Sequence, residues 1–281
     1  MYSPLVTVIC LCYNHSNYLE EAIQSVVNQT YKNIQIILVD DGSTDDSPTK
    51  INSLKEKHPS IEIIVRSSNI GYCKAFNEAL KLSKGEFIID FSTDDVLLSN
   101  RIEKGVEIFR LTGTEYGVQF SDGEIIADNG SHLYFHSQRF PHHTIPQGDV
   151  YKHLIERYFI CSPSMMVRRE VLEDMQGYDE ALAFEDFDLW IRSSRKFKYH
   201  YSKEVLVKKR LAKDALSRGQ FVRASNQRWS TLMVCEKIKS LNKNKEEDKA
   251  LRHRLRYECM LSLKMMDIKL ALEFFKLWRQ V

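Results

Sequence analysis

Apolar and polar positions follow two alternating periods over the first hundred residues. Runs of strand length at 5–11, 34–39, 61–65 and 86–91 are separated by stretches in which apolar residues recur every three or four positions. Near-continuous apolar runs are what buried parallel strands require, and Leu19, Ile23, Val26 and Val27 fall on one helical face. Asn17 is placed to cap that first helix. Thr44 is placed to open the next, through Leu54, with Asp45 and Asp46 in its first turn. A third helix through Phe76, Ala79, Leu80 and Ser83 stops at Lys84-Gly85. Strands alternating with helices predict an α/β fold with a doubly wound, mostly parallel central sheet and helices on both faces.

Beyond a helix at 101–111 the pattern changes. The segments 118–121 and 124–127 flank Asp122-Gly123, which reads as a type I′ hairpin. The stretch 129–148 reads as a long loop, with His132, His136, His142 and His143 as solvated loop histidines. A late strand is expected at 164–167, a turn at 177–179, and a helix from Glu185 with acids in its first turn. From 213 onward the chain reads as helix, interrupted near 242–244. The apolar run at 261–278 predicts a buried helix or an oligomer contact.

Of the 281 residues, 43% are hydrophobic and 28% charged, which excludes a disordered chain. No run reaches the ~18 apolar residues of a membrane span, and the N-terminus lacks a basic leader, so a cytoplasmic protein is expected. The six cysteines are scattered. Cys10 and Cys12 share one face of a strand and read as core residues. The net charge of +2 hides an asymmetry: residues 203–281 carry 20 Lys+Arg against 9 Asp+Glu, and the remaining 20 and 29 leave the upstream part acidic. Such a basic tail can face an anionic membrane surface, a polyanionic acceptor or the acidic body of its own chain.

Three acidic clusters, Asp40-Asp41, Asp94-Asp95 and Glu185-Asp186, stand where a strand or turn passes into a helix. Ligands bind outside the carboxyl ends of strands in open α/β sheets. Converging carboxylates repel, so such a site calls for a divalent cation or a donor-rich ligand, and two acids plus a phosphate can hold Mg²⁺ or Mn²⁺. A sugar nucleotide meets these needs.

The ordered motifs Val6-x-Val8-Ile9 with Tyr13-Asn14, Ser25-x-x-Asn28-Gln29-Thr30-Tyr31, Val39-Asp40-Asp41-Gly42-Ser43-Thr44-Asp45, Asn69-x-Gly71, Lys84-Gly85-Glu86-Phe87-Ile88 and Thr93-Asp94-Asp95 resemble family 2 glycosyltransferases of the GT-A fold. Gly177-Tyr178-Asp179-Glu180 and Glu185-Asp186-x-Asp188-Leu189-Trp190-x-Arg192 resemble the family's later, acceptor-side motif. The resemblance spans about residues 4–218. It implies a GT-A domain at 1–212, with a nucleotide-binding part (1–112) and an acceptor-side part (113–212), followed by a basic helical extension at 213–281.

Carried over by position, the resemblance sets Tyr13 against the nucleotide base, Asp41 on the base edge with Asp40 in support, and Asp94 near the ribose. Asp95, with Asp94, takes the metal role for Mg²⁺ or Mn²⁺. Asp186 takes the place of the catalytic base, with Glu185 beside it. The implied reaction moves a sugar with inversion from a nucleotide-diphosphate donor, a UDP-sugar favoured, to a hydroxyl on a glycan or lipid-linked acceptor, in polysaccharide or glycolipid biosynthesis. The implied setting is the cytoplasm, with peripheral contact at the inner membrane face through the basic tail. A homo-oligomer is allowed for and no nucleic-acid partner is expected. Two positions depart from the family pattern: Ser92 stands where many members have another aspartate, and Ala212 where they have a histidine that contacts metal or diphosphate. Arg210 or Lys213 is then the expected diphosphate contact, and a catalytically silent GT-A module that binds nucleotide or scaffolds a partner is the alternative. A pyrophosphorylase is disfavoured by the absence of glycine in Tyr13-Asn14-His15-Ser16. Ser225 at the glutamine position of a Gln-x-x-Arg-Trp-like segment argues against a processive synthase.

Overall fold

The apolar run after Pro4 forms β1 (Val6–Cys12), buried along its whole length. It can be apolar throughout because both of its faces are covered. Val6, Val8, Cys10 and Cys12 pack on one side, and Ile9 and Leu11 on the other. The computed structural model describes residues 3–140, 144–211 and 222–281. β1 lies between β2 (Ile34–Asp40) and β4 (Phe87–Ser92), with β3 (Glu62–Val65) outside β2, and these four strands are parallel. One face carries α1 (Leu19–Val27), α2 (Ser47–Lys57) and α4 (Arg101–Leu111), and the other carries α3 (Tyr72–Leu82). The predicted doubly wound arrangement is present.

Beyond β4 the sheet is mixed. β5 (Val96–Leu97), β6 (Tyr116–Ala127), β7 (His132–Phe135), β8 (Met166–Arg168) and β9 (Lys198–Leu211) continue it to nine strands. β9, not foreseen from the sequence, runs parallel to β6 along nearly all of its length. That ladder explains why no hairpin forms at Asp122-Gly123. β6 passes straight through, and the Asp122 carboxylate is held by Gly123 N at 2.8 Å, Ser137 N at 2.9 Å and Ser137 Oγ at 2.5 Å. The chain reverses instead at residues 128–130, where Gly130 has φ 82°.

Three further expectations give way. α1 begins after Tyr18 rather than at an Asn17 cap, and no side chain caps it. α2 starts at Ser47, three residues later than expected, because Asp45 stays in the turn and accepts from Ser16 N and Ser47 N at 2.9 Å each. Burial opposes ionisation of Asp45, but the Ser47 and Ser16 donors outweigh it and hold the carboxyl at about 2. His136 is buried, not solvated, with Nε2 3.2 Å from Phe159 O, and burial with the nearby Arg139 charge pushes it down to about 4. His132 lies 3.0 Å from Glu124, while His142 and His143 lie outside the described residues.

α5 (Tyr151–Glu156), α6 (Arg169–Asp174) and α7 (Glu185–Ser193) complete the body. The chain then ends in α8 (Asn226–Leu241), α9 (Lys245–Lys264) and α10 (Ile268–Trp278). The break at 242–244 is as expected; a second, at Met266 with φ 57°, divides the apolar run at 261–278. Only one side of α10 is buried, through Leu270, Ala271, Phe274 and Leu277. These helices share one apolar cluster with Tyr151, Phe187 and Trp190 of the body. Lys237 of α8 is 2.6 Å from both Asp179 and Asp188, so this part of the basic tail faces the acidic body of its own chain. All six cysteines are free, and five are buried.

Candidate active site

The parallel strands β2, β1 and β4 end side by side, and the crossover reverses direction between β1 and β4. With strands about 4.8 Å apart, the acidic ends of β2 and β4 flank β1 at a separation of roughly 10 Å. At the end of β2, Asp41 accepts from Ile70 N at 2.9 Å and Gly71 N at 3.0 Å, and its own N–H donates to Cys12 O at 2.9 Å. Gly42 has φ 73°, and a Cβ there would come within 2.4 Å of the Ser68 carbonyl carbon, so the turn needs glycine. Asn14 pins the other side. Its N–H donates to Ser43 Oγ at 2.8 Å, and its Oδ1 accepts from Thr44 N at 2.8 Å. Tyr13, beside it, is 44% exposed. Asp40 is buried with neither carboxylate oxygen in a hydrogen bond of normal geometry. Burial pushes its pKa up, and the nearby Ser43 hydroxyl and amide resist the shift.

At the end of β4, Thr93 is tied to β1 through Leu11 O, by its N–H at 3.0 Å and its hydroxyl at 3.1 Å. Ser92, in place of the family's aspartate, donates to Asp94 Oδ1 at 2.5 Å. Asp95 is buried, and its Oδ1 accepts from Arg210 N at 2.8 Å. Burial raises its pKa well above the carboxylate range, the Asp94 charge adds to this, and Lys209 and Arg210 oppose it. Two adjacent carboxylates with unmet negative charge fit a hard cation that draws its other oxygen ligands from phosphate and water. Among the described residues no third His, Cys, Asp or Glu completes a ligand set with them.

Glu185 and Asp186 open α7, where the helix dipole favours acids. Burial raises Glu185 and the neighbouring Asp186 charge adds to it. Asp186 is raised by burial and relieved by Lys209 and the Ser162 hydroxyl. Lys209, on β9, places its Nζ 3.3 Å from Ser162 Oγ. Its charge favours the ionised forms of Asp95, Glu185 and Asp186. The neighbouring Arg210 turns the other way. It donates to Glu21 at 2.7 Å, Asp94 O at 2.9 Å and Asp128 O at 2.9 Å, and its guanidinium stacks 4.7 Å from the Tyr18 ring centre. That guanidinium is committed to partners within the protein, while the Lys209 ammonium reaches Ser162. Ala212 and Lys213 lie outside the described residues.

Two residues of the site were not picked out from the sequence. Lys209 was hidden because β9 was not foreseen; its signal is the alternation of Lys208, Lys209 and Arg210 along a strand. Asp90 accepts from Tyr72 and Tyr178, and its signal is a lone acid inside the apolar run of β4. A cavity of about 310 Å³ lies beside this site, between residues 181–183 and the α8 side chains of Asn226, Trp229, Ser230 and Met233.

The chain matches the profile of "Glycosyl transferase family 2" over residues 7–176. It is 33% identical over 213 residues to an uncharacterised glycosyltransferase of Rickettsia typhi, covering 75% of this chain and 65% of that protein. An uncharacterised glycosyltransferase of Methanocaldococcus jannaschii is 28% identical over 214 residues, covering 75% and 72%. The chain thus spans just under two thirds of the Rickettsia typhi relative, and 35% of a Rickettsia felis one. Among solved structures, Staphylococcus aureus TarS 1–349 in complex with UDP-GlcNAc superimposes with a TM-score of 0.74 at 18% identity, covering 97% of this chain and 78% of that one. The mannosyltransferase PcManGT of Pyrobaculum calidifontis, in complex with GDP-Man and Mn²⁺, gives 0.68 at 17% identity, covering 97% and 74%. With the strand-end acids, the GT-A architecture and a profile that covers most of the sheet, the chain belongs to glycosyl transferase family 2.

Proposed function

We propose that this protein transfers a sugar from a nucleotide-diphosphate donor to a hydroxyl acceptor, with inversion at the anomeric carbon. The observation that supports the reading is that β2 and β4, the parallel strands on either side of β1, end in Asp40-Asp41 and Asp94-Asp95 at the switch point of the sheet. Tyr13 and Asp41 hold the base end, with Asp40 in support, and Asp94 lies toward the ribose. Asp186 removes the acceptor's proton as that oxygen attacks, a step worth about 10²–10⁴-fold. Glu185 and Lys209 set the charge around it. Mg²⁺ or Mn²⁺ held by Asp94 and Asp95 would supply positive charge to the departing diphosphate. A UDP-sugar is the favoured donor, in keeping with the ligand of TarS; the GDP-Man complex of PcManGT makes GDP-sugars the first competitor. The acceptor is a glycan or lipid-linked hydroxyl.

Incubation with UDP-, GDP- and dTDP-sugars and Mn²⁺, with free nucleotide diphosphate as the readout, tests this. Turnover of one donor that stops on chelation supports it, and proton NMR of the product reports the anomeric outcome. Nucleotide binding without hydrolysis or transfer of any donor would replace it by the silent-module reading.

A further inference from the structure

Phe184 stands at the N-terminal end of α7 and no side chain caps the helix there, although this is the turn that carries Glu185 and Asp186. The contacts on either side of the pair come instead from the helices at the end of the chain. Upstream, Ala183 N donates to Ser230 Oγ of α8 at 2.8 Å. Downstream, Lys237 of α8 donates to Asp188 at 2.6 Å, and it also holds Asp179, in the turn before α7, at 2.6 Å. In between, the Arg254 guanidinium of α9 lies 5.0 Å from the Phe187 ring centre and 4.0 Å from that of Tyr158. Ala183, Phe187 and Asp188 all lie within three residues of Asp186. Asp188 is fully buried and is bound from the other side by Arg192, which donates on to Met175 O at 2.7 Å and Gly177 O at 3.1 Å. A buried carboxylate between two cations resists displacement, because moving it strands charge away from water. Lys237 thus ties the first turn of α7 to α8.

We propose that the C-terminal helices are part of the catalytic unit, with Lys237 as a positioning residue that, together with Ser230, holds the first turn of α7 so that Asp186 meets the acceptor hydroxyl. The inference rests on the proposed role of Asp186. Lys237 acts through Asp188, which shares a helical turn with Asp186, so a shift of one carries the other with it.

The test is kcat per nucleotide-binding site in the full chain and in Lys237→Met, which keeps most of the side chain's bulk and drops its charge, with the nucleotide diphosphate Kd measured in parallel. The variant's kcat is expected to fall by about 10- to 10²-fold while Kd changes by less than about twofold, since the donor's contacts are at the ends of β2 and β4. Lys237→Arg, which keeps a cation, is expected to recover most of the loss. A kcat per site within about twofold of wild type in Lys237→Met overturns the proposal. So does a fall matched by an equal weakening of Kd, or a Lys237→Arg as slow as Lys237→Met. Counting binding sites separates slow enzyme from unfolded enzyme. If Lys237→Met does not fold, Ser230→Ala, which removes the acceptor of the Ala183 N–H, takes its place, with Ser230→Thr as the conservative variant and the same outcomes read in the same way. Wild-type turnover in Asp186→Asn would fail the base assignment itself, which is a separate result because that variant leaves Lys237 in place.

Discussion

The acids at the end of β2 and those at the start of α7 are held in different ways. Both Asp41 oxygens receive backbone N–H groups from one rigid turn, and Gly42 and Asn14 lock that turn to its neighbours. Glu185 and Asp186 have no comparable cradle. Burial pushes both of their proton affinities up, the Asp186 charge adds to the rise at Glu185, and Lys209 opposes both. A carboxylate held by backbone amides is suited to shaping a pocket, because its position is fixed. One whose proton affinity is raised by burial is suited to taking up a proton.

The largest expected effect separates these two kinds of acid. Asp186→Asn should lower transfer by at least about 10²-fold while leaving the nucleotide diphosphate Kd within a few-fold; wild-type turnover in the variant would remove Asp186 from the reaction. At the other end, Gly42→Ala should destabilise the fold by about 1–3 kcal/mol, because the added methyl meets the Ser68 backbone at a positive φ. Its effect should appear in Kd as well as in denaturant melts, and an unchanged Kd would show that the turn is not part of the donor site.

A third change concerns the brace under α7. Asp188 is fully buried between Arg192 at 2.6 Å and Lys237 at 2.6 Å. Lys237→Ala leaves Asp188 with one partner, and since Lys237 is partly exposed the cost should be about 1–2 kcal/mol in urea unfolding. A larger fall in kcat than in stability would show that the tail positions the catalytic helix. A further effect is in pH. Asp90 binds its proton more tightly when folded, at about 7, than the ordinary 3.8. Its contribution to stability is therefore full below about 3.8 and is lost as pH rises through about 7. Tm should fall between pH 5 and pH 8, and Asp90→Asn should flatten that slope.

Much of the site was legible because its signals are local. Asp40, Asp41, Asp94 and Asp95 follow apolar runs directly, and Glu185 and Asp186 precede an amphipathic helix. Thr44 misled as a cap because Asp45 takes the Ser47 amide, and Asn17 because Tyr18 N and Leu19 N already donate to His15 O. Asp122-Gly123 misled as a hairpin because its turn chemistry is outweighed by a parallel partner about 80 residues away in the chain.

By itself, the sequence determined the βαβ alternation, the four parallel strands and the three acidic ends, since hydrophobic period and strand-end chemistry are properties of neighbouring residues. Only the tertiary structure decided that β9 runs beside β6, with Lys209 at Ser162 and Arg210 tied to Asp94, Asp95 and Glu21. It also decided that Asp90, an acid inside a strand, accepts from tyrosines of two other segments. Which residues meet across the fold is set by packing over long sequence separations.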